Sequence, residues 1–235
     1  MNRRCRALAT GLILILAAMG IWAARTPPTL APRPPAERPP LLLLTSLPLV
    51  FGENFSLDGL GSPALARLGE RYRVVPIALA NSASLKGQRL LLMAHPRAQT
   101  AEALVELDAW VRGGGRLLLL ADPLLEWPSQ RPFGDPLRPP PGFADTGLLA
   151  HWGISLVAPD RRGTVEERID GRRVRFASPG TVDSLRFTLL AHRRVARGTV
   201  GRGRVTVIAD ADWLASEDNL DALLAELDRL ESPAN

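Results

Sequence analysis

Cysteine is nearly missing from this chain. Cys5 is the only one in 235 residues, so neither an internal disulfide nor a multi-cysteine metal site can form. It also lies ahead of the apolar run that follows, whereas a bacterial lipidation cysteine comes after one. Residues 41–235 therefore hold no thiol nucleophile for acyl transfer. Lysine is equally scarce: Lys86 stands alone, and almost all positive charge is arginine. Aromatics make up 5% of the chain, too few to interleave with arginine as a base-stacking surface, and this argues against nucleic acid as a partner. No Gly-x-Ser-x-Gly elbow occurs, since Gly61-Ser62 is followed by Pro63. A phosphate-cradling loop is missing as well. Gly113-Gly114-Gly115 precedes a strand pattern and so sits at a helix C-terminus, the wrong end for an anion.

What is present begins with an address. Residues 1–6 (MNRRCR) carry three arginines and form a basic cytoplasmic tip. Residues 7–24 hold no charge and are long enough, at 1.5 Å per helical residue, to span a bilayer core. Arginines on the near side send the rest outward, so the expectation is a single-pass protein of the bacterial inner membrane with its C-terminal domain in the periplasm. A cleaved signal peptide is the alternative. Trp22-Ala23-Ala24 is the better-placed cleavage motif, but it puts a bulky Trp where a small residue is needed, which favours an uncleaved anchor. Residues 25–40 form a Pro-rich linker with seven prolines between positions 26 and 40. That composition predicts an extended spacer unable to join a sheet, holding the domain away from the membrane.

Residues 41–235 read as one α/β domain with a mostly parallel, doubly wound sheet of Rossmann or flavodoxin type and an inserted antiparallel hairpin. The continuous apolar runs at 41–50, 89–94 and 116–121 suit strands covered on both faces. Between the last two, Thr100 is an N-cap candidate. Ala103, Leu104, Leu107, Trp110 and Val111 then form a helical stripe, and the triple glycine ends it. Strand, helix, glycine turn, strand is a parallel crossover unit. Residues 64–72 read as a helix, 73–78 and 154–158 as strands, and 146–152 as a helical turn or two. Asp170-Gly171 marks a two-residue hairpin turn within 167–176. Residues 186–190 and 203–209 are further strands, and 219–230 a closing helix with Ser216 as its cap. The stretch 122–143, rich in Pro and Gly, predicts a long loop, either a functional lid or simply mobile.

Candidate chemistry gathers at the strand ends, the edge where doubly wound sheets bind ligands. His95 ends one core strand, Asp122 follows another, and Asp210 and Asp212 follow a third, with Glu53 just past the first. Such carboxylates could hold a hard cation, or simply cap the turns that follow. The residues on their own require neither metal nor cofactor. A hydrolase of an envelope polymer, pairing His95 with Asp122, Asp210 or Asp212, is the enzymatic alternative. A second feature is charge. Between positions 161 and 204 stand 12 arginines against 4 acidic residues. Arg172, Arg173 and Arg175 could present a basic face to anionic lipid, an acidic glycan or an acidic protein, or be a solvated surface.

Three segments carry a family likeness: LTSLPLVFGE (44–53), the unit 90–123 ending WVRGGGRLLLLADP, and GRGRVTVIADADWLASEDNL (201–220). Together they resemble the exported domain of the ABC-type uncharacterised transport system and gliding-motility auxiliary proteins. That resemblance implies a fold similar to class I glutamine amidotransferases. It also implies a non-catalytic role beside membrane protein partners such as an ABC transporter permease.

Overall fold

The computed structural model describes residues 28–50 and 61–232. Among them the strands are β1 Pro40–Thr45, β2 Arg73–Pro76, β3 Leu90–Ala94, β4 Arg116–Leu120, β5 Ile154–Val157, β6 Thr164–Ile169, β7 Arg172–Ala177, β8 Thr181–Ser184, β9 Thr188–Leu190, β10 Val195–Val200 and β11 Gly203–Ile208. The helices are α1 Pro63–Gly69, α2 Ser82–Leu85, α3 Ala101–Arg112, α4 Leu148–His151 and α5 Leu220–Glu231. A seven-stranded sheet runs β2-β1-β3-β4-β11-β10-β9. Its first five strands are mutually parallel, and β10 and β9 extend it antiparallel. The chain is thus mixed α/β, with a mostly parallel central sheet and antiparallel hairpins.

The leucine runs are explained by burial on both faces. Leu41, Leu43, Leu90, Leu92, Leu118 and Leu120 pack with α1 and α5, while Leu42, Leu44, Leu91, Met93, Leu117 and Leu119 pack with α3 and α4. Alternation across the pleat sends successive leucines to opposite layers, so a strand between two helical layers must be apolar throughout. The crossover is as expected. Thr100 accepts from the Ala103 amide at 3.2 Å, Gly113 closes α3, and Gly114 takes φ +115°. Gly203 opens β11 where a Cβ would sit 2.0 Å from the Val111 carbonyl oxygen, so only glycine fits.

Several elements depart from the sequence expectation. Strand β1 stops at Thr45, short of Pro48, where proline would in any case end the pairing of the 41–50 run, because the Thr45 hydroxyl accepts from the Leu47 amide at 2.9 Å and turns the chain. Helix α5 starts at Leu220 behind two 3₁₀ turns, and Ser216 makes no side-chain cap bond. Strand β8 is only four residues long (TVDS), and β10 (VARGTV) buries Val195 and Ala196 in succession, so neither shows a two-residue period. The hairpin at Asp170-Gly171 is present and longer than expected, with Ile169 paired to Arg172 across the turn.

The Pro-rich segment differs most. From Pro28 onward it is fastened to the domain. Leu30 packs against the core, and the Thr29 hydroxyl bonds Asp221 at 3.1 Å. Arg33 pairs with Glu231 at 2.9 Å and Asp228 at 3.3 Å, and Arg71 donates to the Ala31 carbonyl. Pro40 even opens β1, opposite Arg73, a place proline tolerates at a strand's first residue. The segment makes one 3₁₀ turn of its own at Pro35–Glu37, and ahead of it the Leu30 and Ala31 carbonyls are taken by arginines on α1 and after it, Arg67 and Arg71. Arg71→Ala, which strips donors from Ala31 and Asp228, is expected to lower stability by about 1–3 kcal/mol in urea titration. Among the described residues no helix is long and apolar enough to cross a membrane; the expected anchor at 7–24 lies outside them, as does Glu53.

Candidate functional site

Strands β4 and β11 are parallel neighbours with Leu120 opposite Ile208. The chain therefore places Asp122 and Asp210 side by side, each two residues past its strand, and Asp212 follows. One carboxylate oxygen from each lies within 4.8 Å of the other two. Asp122 and Asp210 are fully buried, and Asp212 is 7% exposed. The expected convergence of these three is present.

Each carboxylate has a structural task. Asp122 accepts from the Leu124 amide at 2.8 Å and the Ala211 amide at 2.9 Å, tying the exits of β4 and β11 together. Asp210 accepts from Ala177 at 2.7 Å and Trp213 at 3.0 Å, fastening the end of β7 and starting the next turn. Asp212 accepts from the Glu126 amide at 2.6 Å and anchors the long loop. A hard cation would find oxygens close together, yet five of the six already accept a backbone amide. The chemistry on view is that of a clamp.

Burial raises all three pKa values. For Asp210, burial and then the charge of Asp122 push it well above the usual carboxylate range. Asp122 rises too, chiefly through burial. Asp212 is pushed up to about 7, by burial first, against the Glu126 amide bond and with Asp122 and Glu126 adding repulsion. An unfolded aspartate ionises near 3.8, so between about pH 4 and 7 the unfolded chain releases its proton first. Stability through this group is present at low pH and is lost as pH rises through the folded value. Asp212→Asn should therefore gain on the wild type between pH 4.5 and pH 7.5, by on the order of a few kcal/mol in paired urea titrations. An equal difference at the two pH values would contradict the assignment.

His95 is not part of this group. It follows the last residue of β3, fully buried with φ +47°, and its Nε2 donates to the Pro140 carbonyl at 2.9 Å. Burial lowers its pKa, so the ring is neutral at physiological pH and acts as a latch on the loop. It makes no hydrogen bond to Asp122, Asp210 or Asp212, and the pairing a hydrolase would need is not formed. Ser62, the serine of the broken elbow, is the N-cap of α1, accepting from Leu65 at 3.2 Å.

The arginine-rich segment is largely paired off. Arg162 meets Glu126 at 3.0 Å, Arg193 meets Asp183 at 2.8 Å, and Arg194 meets Glu167 at 2.6 Å. Arg197 is bound to Asp170 and to the buried Glu226. Arg172 donates to the Pro28 carbonyl and Arg175 reaches Glu166 at 3.7 Å, while Arg173 stands exposed beside them. Next to the hairpin lies an open groove lined by Glu166, Glu167, Arg168, Arg173, Ala191 and His192. Sequence reasoning missed its far wall, a turn in which Ala191, His192 and Arg193 take φ values of +48°, +49° and +68° in succession. No glycine or asparagine marks it. His192 and Arg194 hold it by sharing Glu167.

Residues 54–225 match a family described as a domain of unknown function, DUF4350. The chain belongs to the DUF4350 family. No curated protein matches the sequence at a significant level. Among solved structures, this DUF4350 domain is similar to the mmIFT52 N-terminal domain, at 16% identity and TM-score 0.54, covering 84% of this chain and 99% of that one. It is also similar to the cytoplasmic protein STM1381 from Salmonella typhimurium LT2, at 12% identity and TM-score 0.51, covering 81% and 99%. The exo-beta-1,4-mannosidase Op5Man5 from Opitutaceae bacterium strain TAV5 matches at 14% identity and TM-score 0.49, over 84% of this chain but only 36% of the mannosidase. At these identities the likeness is one of fold alone.

Proposed function

We propose that this chain is a non-catalytic, membrane-anchored interaction module, an auxiliary component of an ABC-type transport or envelope-assembly system, with its α/β domain in the periplasm. The observation that carries the reading is the state of the strand-end groups. At the edge where folds of this kind perform chemistry, Asp122, Asp210 and Asp212 are buried and committed to backbone amides. His95 is committed to Pro140. The exposed charged chemistry lies instead on the β6–β7 hairpin. The finer fold reading is a doubly wound, amidotransferase-like domain preceded by a transmembrane helix at 7–24. The parallel strand order β2-β1-β3-β4-β11 supports the doubly wound part, and the lack of cysteine in 41–235 separates the domain from amidotransferase catalysis.

The test is purification of the full chain from membranes in mild detergent after cross-linking. The expected product is a defined complex with an integral membrane protein, formed equally by the wild type and by His95→Gln, provided that variant is folded. Recovery of the chain alone, or loss of the complex with His95→Gln, would contradict the proposal.

A further inference from the structure

The expected spacer is not free, and this fixes where the membrane must be. The chain enters the described fold at Pro28, whose carbonyl accepts from Arg172 Nη2 at 2.6 Å, beside the turn joining β6 and β7. The uncharged run ends at Ala24. Four residue steps separate it from Pro28, at most about 14 Å even fully extended. A domain bound to an anchor at 7–24 by so short a tether has its β6–β7 turn close to the bilayer surface.

The outer face of that hairpin has an unusual charge arrangement. Arg168 and Arg173 are direct cross-strand partners, and both are exposed. Like charges directly opposite each other in an antiparallel pair are unfavourable. The acid on this face, Glu166, lines the same groove but stands opposite Arg175. Arg168 donates only to the Gly171 carbonyl of its own turn, at 3.1 Å, and among the described residues Arg173 makes no hydrogen bond or ion pair. Arg175, one position further along the same face, has Glu166 at 3.7 Å, with both side chains about half exposed. The hairpin itself is rigid. Val174 and Phe176 are buried in the core, Phe176 stacks on Trp213 at 6.1 Å, and the Asn219 amide bonds both the N–H and the C=O of Arg175. Two guanidinium groups held side by side on a firm ribbon suit phosphate oxygens, which each can engage through paired N–H donors.

We propose that this face, centred on Arg168 and Arg173, docks on the phosphate headgroups of the anionic bilayer that holds the anchor, so that the domain lies against the membrane. The inference rests on the anchored reading of residues 7–24. Its partner is the lipid surface, recognised by charge and by proximity, and the arginine pair is the determinant.

The experiment uses the full chain in nanodiscs with acceptor-labelled lipid headgroups. Cys5→Ser supplies the background, and a donor dye is placed at Thr164→Cys on the hairpin or at Val105→Cys. Val105 is exposed on α3, across the sheet from the hairpin. In discs containing phosphatidylglycerol, energy transfer from position 164 should exceed that from 105. It should fall in pure phosphatidylcholine, in high salt, and in the Arg168→Gln/Arg173→Gln variant, to the smaller excess over 105 that the short tether alone leaves. That variant removes no internal ion pair, so its melting temperature should equal or exceed the wild type, which separates lost docking from lost folding. Equal transfer from both positions, or transfer at 164 indifferent to salt and to the two arginines, would overturn the proposal. So would low transfer accompanied by arginine-dependent cross-linking to a protein. The anchor is read separately: a chain retained after alkaline washing but showing low transfer sinks the docking alone. A chain released by the wash sinks the anchored reading, and the docking with it.

Discussion

Asp210→Ala is expected to be among the most damaging single substitutions in this domain. The side chain is fully buried, and its two oxygens accept from Ala177 and Trp213. Alanine leaves both amides without an acceptor in dry surroundings, at about 1–3 kcal/mol each. The combined loss of roughly 2–6 kcal/mol compares with a typical total stability of about 5–15 kcal/mol. Removing a buried carboxylate and its repulsion with Asp122 offsets part of this. Asp210→Asn keeps one carbonyl acceptor and so should fall between the two. Because Ala177 ends β7 and Trp213 stacks on Phe176, the alanine variant should also lose near-ultraviolet circular dichroism from that pair before it unfolds globally. A urea midpoint unchanged from wild type would show that the triad does not clamp the sheet edge.

The second large effect is expected at Arg197. Glu226, on the inner side of α5, is 2% exposed, and Arg197 reaches it from β10. The same guanidinium binds Asp170 at 2.7 Å, so one side chain joins helix, sheet and hairpin turn. Arg229 gives Glu226 a second partner at 3.3 Å, and Thr206 lies beneath at 3.4 Å. Arg197→Met should cost about 3 kcal/mol, the low end for breaking a buried pair, because Arg229 remains. Adding Glu226→Leu should recover much of that loss, since the penalty comes from the stranded carboxylate rather than from the missing attraction. A double variant less stable than the sum of its singles would refute this account.

What could be read from the sequence follows from how local each signal is. The α3 crossover was legible because cap, apolar stripe and glycine stop sit within sixteen residues of one another. The leucine strands were legible because burial on both faces leaves no room for polar residues. The co-location of Asp122, Asp210 and Asp212 could be inferred from parallel neighbours ending at the same edge. Their role as clamps could not, since their partners Ala177 and Glu126 come from remote segments. His95 is similar: its partner Pro140 lies 45 positions away in a loop without periodicity. The fastening of the Pro-rich segment is not legible in composition, which describes the isolated chain, because it depends on Arg33, Arg67 and Arg71 meeting α5 and the segment's own carbonyls. The left-handed turn at Ala191–Arg193 is imposed from outside, by the Glu167 bonds and the Val182 amide on the Arg193 carbonyl, and leaves no trace in local residue choice.

The central claim is that the anchor and the exposed face carry the function while the strand-end groups carry the fold. Complementation in the source organism tests it most directly, using a strain that lacks the protein and shows a growth or envelope defect. Full-length chains bearing folded His95→Gln or Asp212→Asn should restore the wild-type phenotype. A domain exported without residues 7–24, by a cleavable leader, should not. Restoration by the unanchored domain together with failure of the folded strand-end variants would contradict the account and point to chemistry at that edge.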